Sequence, residues 1–212
     1  MKNYLTEFVG TFFLVLTIGL CIIGGTDFAP LAIGSALMVM VYMGGHVSGG
    51  HYNPAVSLAA MMRGALESKE LIPYWVSQIV GACAAAIAVN VIAGQTFAPA
   101  PGAGASTMGA LLVEFLFTFA LCIVVLNSAT AKGTEGNSFY GLAIGFTVMV
   151  GAFAGGGISG GAFNPAVGIG PVLINATMGS GGFGDLWLYL VGPLLGGAVA
   201  AVVFKVQNPG DD

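Results

Sequence analysis

Two asparagines sit in one repeated frame. Ser48-Gly-Gly-x-x-Asn53-Pro54-Ala55-Val recurs as Ser159-Gly-Gly-x-x-Asn164-Pro165-Ala166-Val, 111 residues later. Asparagine caps a helix by accepting backbone N–H groups, and proline in the first turn is pre-organised for it. Capping alone would explain one copy. Two copies at a fixed offset, each behind a glycine-rich lead, imply more. Each amide can also donate to one passing oxygen, and two helix N-termini would place positive potential at the same spot. That combination suits a small neutral molecule, repels cations and orients water so that protons are not easily relayed.

The leads, His46-Val-Ser-Gly-Gly-His-Tyr and Gly157-Ile-Ser-Gly-Gly-Ala-Phe, are read as non-helical backbone. Irregular backbone inside a bilayer is tolerated only where protein buries it or it lines a wet cavity. The expected lining is therefore His46, Ser48, Gly49 and Gly50 from one lead and Ser159 and Gly160 from the other. Glu7 and Glu114 lie in apolar runs at matching places. Intramembrane carboxylates face the interior. They serve either as acceptors for the N–H groups of the leads, with Gln78 assisting, or as a proton relay; the need of the leads for partners favours the first role. His46 and His51 flank the first lead, as structural hydrogen-bonding groups or as a pH gate. No Ser/His/Asp set and no metal-ligand spacing occurs, so neither enzyme, cofactor nor metal is expected. Cys21, Cys83 and Cys122 fall in apolar runs and read as buried free thiols.

The elements that hold these groups follow from composition. Of 212 residues, 57% are hydrophobic and 7% charged, against about 25% charged in soluble domains. Such a chain lacks the charge to cover a water-facing surface, and no basic patch suits nucleic acid. Six apolar runs, Tyr4–Gly24, Pro30–Gly45, Ile72–Ala93, Thr107–Asn127, Phe139–Ala154 and Leu186–Lys205, approach the ~20 residues that cross a bilayer. The first lacks a small-residue cleavage site and reads as a retained span. The second and fifth are short, which predicts tilted or flanked spans. Two shorter segments, Asn53–Met62 and Asn164–Ala176, reach only halfway, as helices starting at the midplane would. The five basic residues, Lys2, Arg63, Lys69, Lys132 and Lys205, all fall on one side of six spans. By the positive-inside rule that side is cytoplasmic, with both termini.

The halves repeat, as residues 1–96 and 107–207 of a single channel domain over 1–212. Leu31-Ala-Ile-Gly recurs as Leu142-Ala-Ile-Gly, and Gly81 parallels Gly196. Three spans per half is odd, so the second half is inverted. The nearest other class with inverted repeats is a secondary transporter, but both buried carboxylates lie in spans away from the Asn-Pro-Ala leads.

On these motifs the chain resembles the aquaporin family (major intrinsic proteins), over nearly its whole length. The matching stretches are Glu7-x-x-Gly-Thr, Gly45-His-Val-Ser-Gly-Gly-His-Tyr-Asn-Pro-Ala-Val, Ser77-Gln-Ile-Val-Gly, Glu114-Phe-x-x-Thr and Asn164-Pro-Ala. The resemblance implies an all-α hourglass bundle of six transmembrane helices and two half-helices. It also implies a homotetramer in the lipid bilayer, in the plasma (inner) membrane, with one pore per subunit. Its central constriction would be Asn53, Pro54, Ala55, Asn164, Pro165 and Ala166. A second, outer filter is matched to Tyr42, Ala152, Gly161 and Val167. Most members carry Arg where Val167 stands, and water-selective members carry His where Ala152 stands. Glycerol-type members carry Asp where Gly168 stands; the short loops resemble the bacterial water-channel branch. Without the Arg the filter loses a fixed charge and several donors. The expectation is a channel for water and small neutral solutes such as urea, ammonia, glycerol or metalloid hydroxides; a strictly water-selective channel is the alternative.

Overall fold

The computed structural model describes residues 1–211; Asp212, the last residue of the expected domain, lies outside them. Among the described residues eight α-helices follow one another: α1 Lys2–Gly24, α2 Ala29–Ser48, α3 Pro54–Arg63, α4 Leu71–Ala93, α5 Thr107–Val125, α6 Tyr140–Ser159, α7 Pro165–Met178 and α8 Leu188–Gln207. Six of them are long and apolar enough to cross a membrane. A π-helical turn, Leu126–Thr130, extends α5. The remaining two, α3 and α7, have 10 and 14 residues.

Packing follows the doubled sequence. α1 lies on α4 as α5 lies on α8, α1 on α2 as α5 on α6, and each half-helix packs on the last helix of the other half, α3 on α8 and α7 on α4. α2 and α6 meet each other across the centre. Lipid offers no hydrophobic reason for helices to associate, so close contact rests on small residues. At the α1–α4 crossing a Cβ on Gly81 would stand 2.6 Å from Phe8 O; at the α5–α8 crossing one on Gly196 would stand 2.6 Å from Phe115 O. The α2–α6 crossing uses the glycines of the repeated Leu-Ala-Ile-Gly, with Gly34 against Gly145.

α2 and α6 are not short. Each runs 20 residues, three or more past the expected ends, through His46 and Ser48 in one case and Ser159 in the other. Each stops at a glycine in the left-handed region, Gly49 at φ 92° and Gly160 at φ 91°, a geometry that only glycine enters without strain. The irregular leads are therefore shorter than expected, Gly49–Asn53 and Gly160–Asn164.

The termini gather with the loops that carry the basic residues. Tyr4 Oη donates to Glu70 Oε2 at 2.8 Å. Arg63, at the end of α3, donates to Thr130 O at 2.8 Å and to Asp211 Oδ2 at 3.3 Å, and its guanidinium lies 5.0 Å from the Phe204 ring centre. Lys132 N donates to the same Asp211 carboxylate. On the opposite face Thr96 Oγ1 donates to Asn175 Oδ1 at 2.7 Å, which ties segment 94–106 to the end of α7.

Candidate functional site

The two half-helices begin at one point. Asn53 Oδ1 accepts Ala55 N at 2.8 Å, and Asn164 Oδ1 accepts Ala166 N at 2.9 Å, so each side-chain oxygen caps its own helix. Each amide nitrogen crosses to the other lead. Asn53 Nδ2 donates to Phe163 O at 2.9 Å, and Asn164 Nδ2 donates to Tyr52 O at 2.9 Å. An amide has two N–H donors. One from each asparagine is used in this exchange; the second is free for a neighbour in the cavity that both asparagines line.

The carbonyls that accept these bonds belong to residues in unusual backbone. Tyr52 has φ 51° and Phe163 φ 48°. For bulky residues this costs on the order of 1–3 kcal/mol each. Two buried carboxylates hold the strain. Glu7 accepts Ser48 Oγ at 2.7 Å, His51 N at 3.0 Å, Tyr52 N at 2.6 Å and Gln78 Nε2 at 2.8 Å. Glu114 accepts Ser159 Oγ at 2.7 Å, Ala162 N at 3.0 Å and Phe163 N at 2.7 Å. Both carboxylates are wholly buried. Tyr52 and Phe163 were not singled out by sequence reasoning; the signal available was an aromatic residue directly before both asparagines. Gly10 of the Glu7-x-x-Gly-Thr stretch has no room for a Cβ because the Tyr52 ring fills that space.

Two cavities flank this point. One, of about 400 Å³, is lined by Asn53, Asn164, Gly50, Gly160, Gly161 and Val167 on its polar and loop side, and mostly by aliphatic side chains elsewhere. Among the described residues no Asp, Glu, Lys or Arg lines it. The other, of about 890 Å³, opens toward the basic residues and is lined by His46, Ser48, Gly49, Arg63, Glu70 and Lys132 among others. His51 and Val125 line both, which places the junction of the two cavities beside the half-helix tips.

Several expected site residues stand elsewhere. Tyr42 lines neither cavity. It lies nine positions along α2 from Ile33, about 13 Å by helical rise. Its hydroxyl donates to Ser138 O and accepts Leu142 N, both at 3.1 Å, so it joins α2 to the start of α6. The α2 residues that do face the smaller cavity, together with Ala152, Gly161 and Val167, are Ala29, Pro30, Ile33 and Leu37. Pro54, Ala55, Pro165 and Ala166 are buried behind the asparagines and line neither cavity. Ser159 is wholly buried, and its hydroxyl serves Glu114. Ser48 Oγ likewise serves Glu7. His46 is helical and exposed. His51 Nδ1 lies 3.1 Å from Ser57 Oγ. No cluster of three or more potential metal-binding side chains occurs among the described residues.

Comparison with known proteins agrees with this architecture. The family model described as "Major intrinsic protein" matches residues 1–204. Aquaporin NIP1-4 of Oryza sativa subsp. japonica is 34% identical over 97% of this chain and 77% of its own length. Glycerol uptake facilitator protein-like 6 of Lactiplantibacillus plantarum is 36% identical over 100% of both chains. The aquaglyceroporin from Plasmodium falciparum shares the fold, with a TM-score of 0.88 over 100% of this chain and 98% of its own, at 23% identity. The half-helices, the repeated motif and a family match over nearly the whole chain agree: this chain belongs to the major intrinsic protein family, as an integral membrane channel that passes water and small solutes passively and is not an enzyme.

Proposed function

We propose that the conduit runs through both cavities, past the second amide hydrogens of Asn53 and Asn164, and that its outer filter is the ring Ile33, Ala152, Gly161 and Val167. The reciprocal bonds at 2.9 Å between the two tips carry this reading, because they fix both donors at the waist of the path. The ring has no charged member. Val167, only 3% exposed, supplies an apolar wall and no donors. A permeant then needs no cationic partner and can be wider than water, which favours urea, ammonia, glycerol and metalloid hydroxides as additional solutes. Exclusion of cations falls to the two helix N-termini, each equivalent to roughly half a positive charge.

The same reading takes residues 1–96 and 107–207 as inverted repeats, supported by the matched packing of the two halves and by Glu7 and Glu114 making corresponding bonds. It places both termini in the cytoplasm, since Lys2, Arg63, Lys69, Lys132 and Lys205 share one face. The assembly is a homotetramer in the plasma membrane, one pore per subunit.

Proteoliposome swelling tests the filter. Water, urea and glycerol should all pass, and Val167→Arg should cut urea and glycerol while leaving water flow near wild type. Complete exclusion of urea and glycerol by the wild type would refute the wide filter and leave a strict water channel.

A further inference from the structure

We propose that Tyr52 is a positioning residue of the waist: its hydroxyl, anchored on α2, fixes the carbonyl that aims the Asn164 amide at the permeant. This rests on the reading of the waist given above and names the residue behind one of its two donors. Tyr52 is wholly buried and held at three points. Its N–H donates to Glu7 Oε2 on α1 at 2.6 Å, its hydroxyl donates to Met40 O in the body of α2 at 2.8 Å, and its carbonyl accepts Asn164 Nδ2 at 2.9 Å. Glycines admit the ring. A Cβ on Gly10 of α1 would collide with the ring carbons, and one on Gly44 of α2 would collide with the hydroxyl itself. A tyrosine side chain is rigid apart from its two χ angles, so a bond at its tip constrains the backbone at its root.

The aim of Asn164 depends on that carbonyl. A side-chain amide carries two N–H donors and one oxygen in fixed relation. Asn164 Oδ1 is bound to Ala166 N and one of its N–H groups to Tyr52 O, so the direction of the second N–H, the one left for the permeant, is set by where these two partners stand. Ala166 N belongs to α7; Tyr52 O is held from α1 through its own N–H and from α2 through its ring. The other half of the chain lacks this tie. Phe163 has no hydroxyl, and Phe117 follows Glu114 at the place where Gly10 follows Glu7. The rings of Phe117 and Phe163 pack with centres 5.4 Å apart. The two donors, alike in their bonds to each other's leads, are thus aimed by unlike means. Asn164 is aimed by a chain of hydrogen bonds that starts on α2, and Asn53 by a carbonyl held through ring packing and the bond of Phe163 N to Glu114.

The test is Tyr52→Phe, which keeps the ring and removes the tie to Met40. In proteoliposomes, water flux per reconstituted channel should fall severalfold. The second arm is magnetic resonance of isotope-labelled protein in lipid, with each asparagine side-chain amide assigned by correlation to its own backbone. The amide resonances of Asn164 should shift in Tyr52→Phe, and those of Asn53 should stay in place. A substitution that merely loosens the fold would move both asparagines alike. Water flux at the wild-type level, or shifts that are equal at the two asparagines or absent from both, overturns the inference. If the wild type itself passes no water, the reading of the waist fails, and the amide resonances alone decide whether Tyr52 aims Asn164.

Discussion

Glu7→Gln keeps the shape of a buried side chain and removes its charge and one acceptor. In the native protein Oε1 accepts Ser48 Oγ and His51 N, and Oε2 accepts Tyr52 N and Gln78 Nε2, at 2.6–3.0 Å. An amide oxygen can serve one of these pairs. The new NH2 group then faces the other. Gln78 can turn over to meet it, because Gln78 Oε1 is buried without a partner. One lead N–H, that of Tyr52, is left stranded. A buried unpaired N–H costs about 1–3 kcal/mol, and the two surviving bonds each lose roughly 1 kcal/mol of charge assistance. The sum, about 3–5 kcal/mol, is a large part of the 5–15 kcal/mol that holds a typical fold. The strain at Tyr52, φ 51°, acts in the same direction once its N–H is released. Melting in detergent should fall by on the order of 10 °C, and water flux should drop as the first lead relaxes. Proton conductance of the wild type should stay at the level of empty liposomes, since the carboxylate is a scaffold and not a relay. A Glu7→Gln protein that melts with the wild type and conducts water equally would refute the reasoning.

Three further outcomes are expected. Ile33→Trp should narrow the solute range in the swelling assay, whereas Tyr42→Phe should leave solute selection unchanged, because Tyr42 only ties α2 to Ser138 and Leu142. Gly196→Val should abolish folded, monodisperse protein in size-exclusion chromatography, since even its Cβ would stand 2.6 Å from Phe115 O in a crossing that backbone cannot vacate. Arg63→Met should lower melting in detergent by roughly 2 kcal/mol of stability, through loss of its bonds to Thr130 and Asp211; the pair is 10% exposed on each side, so added salt should not mimic the effect.

Much of this was legible in the chain, for physical reasons. Six spans follow from the length a bilayer demands, and the two half-helices from Asn-Pro at a helix start. The scaffold role of Glu7 and Glu114 follows from the need of irregular backbone for partners. What stayed hidden was register and long-range contact. The ends of α2 and α6 depend on Gly49 and Gly160 entering the left-handed region, and the tract holds other glycines that stay helical, such as Gly44, Gly45 and Gly156. Tyr42 was matched by spacing along a helix, where a shift of nine positions moves a side chain about 13 Å down the membrane. Beyond an aromatic residue before each asparagine, nothing marked the conformation of Tyr52 and Phe163, because bulky residues at positive φ oppose local preference and are held here by bonds to carboxylates more than forty residues away. The clamp of Arg63, Thr130, Lys132 and Asp211 likewise joins parts of the chain that no local pattern connects.

The most direct measurement is stopped-flow light scattering on proteoliposomes of the wild type, with its temperature dependence, beside empty liposomes of the same lipid. A continuous wet path past Asn53 and Asn164 predicts fast osmotic shrinkage whose rate rises with temperature as weakly as water's own diffusion. Shrinkage no faster than that of empty liposomes, or with the steep temperature dependence of lipid, would contradict it.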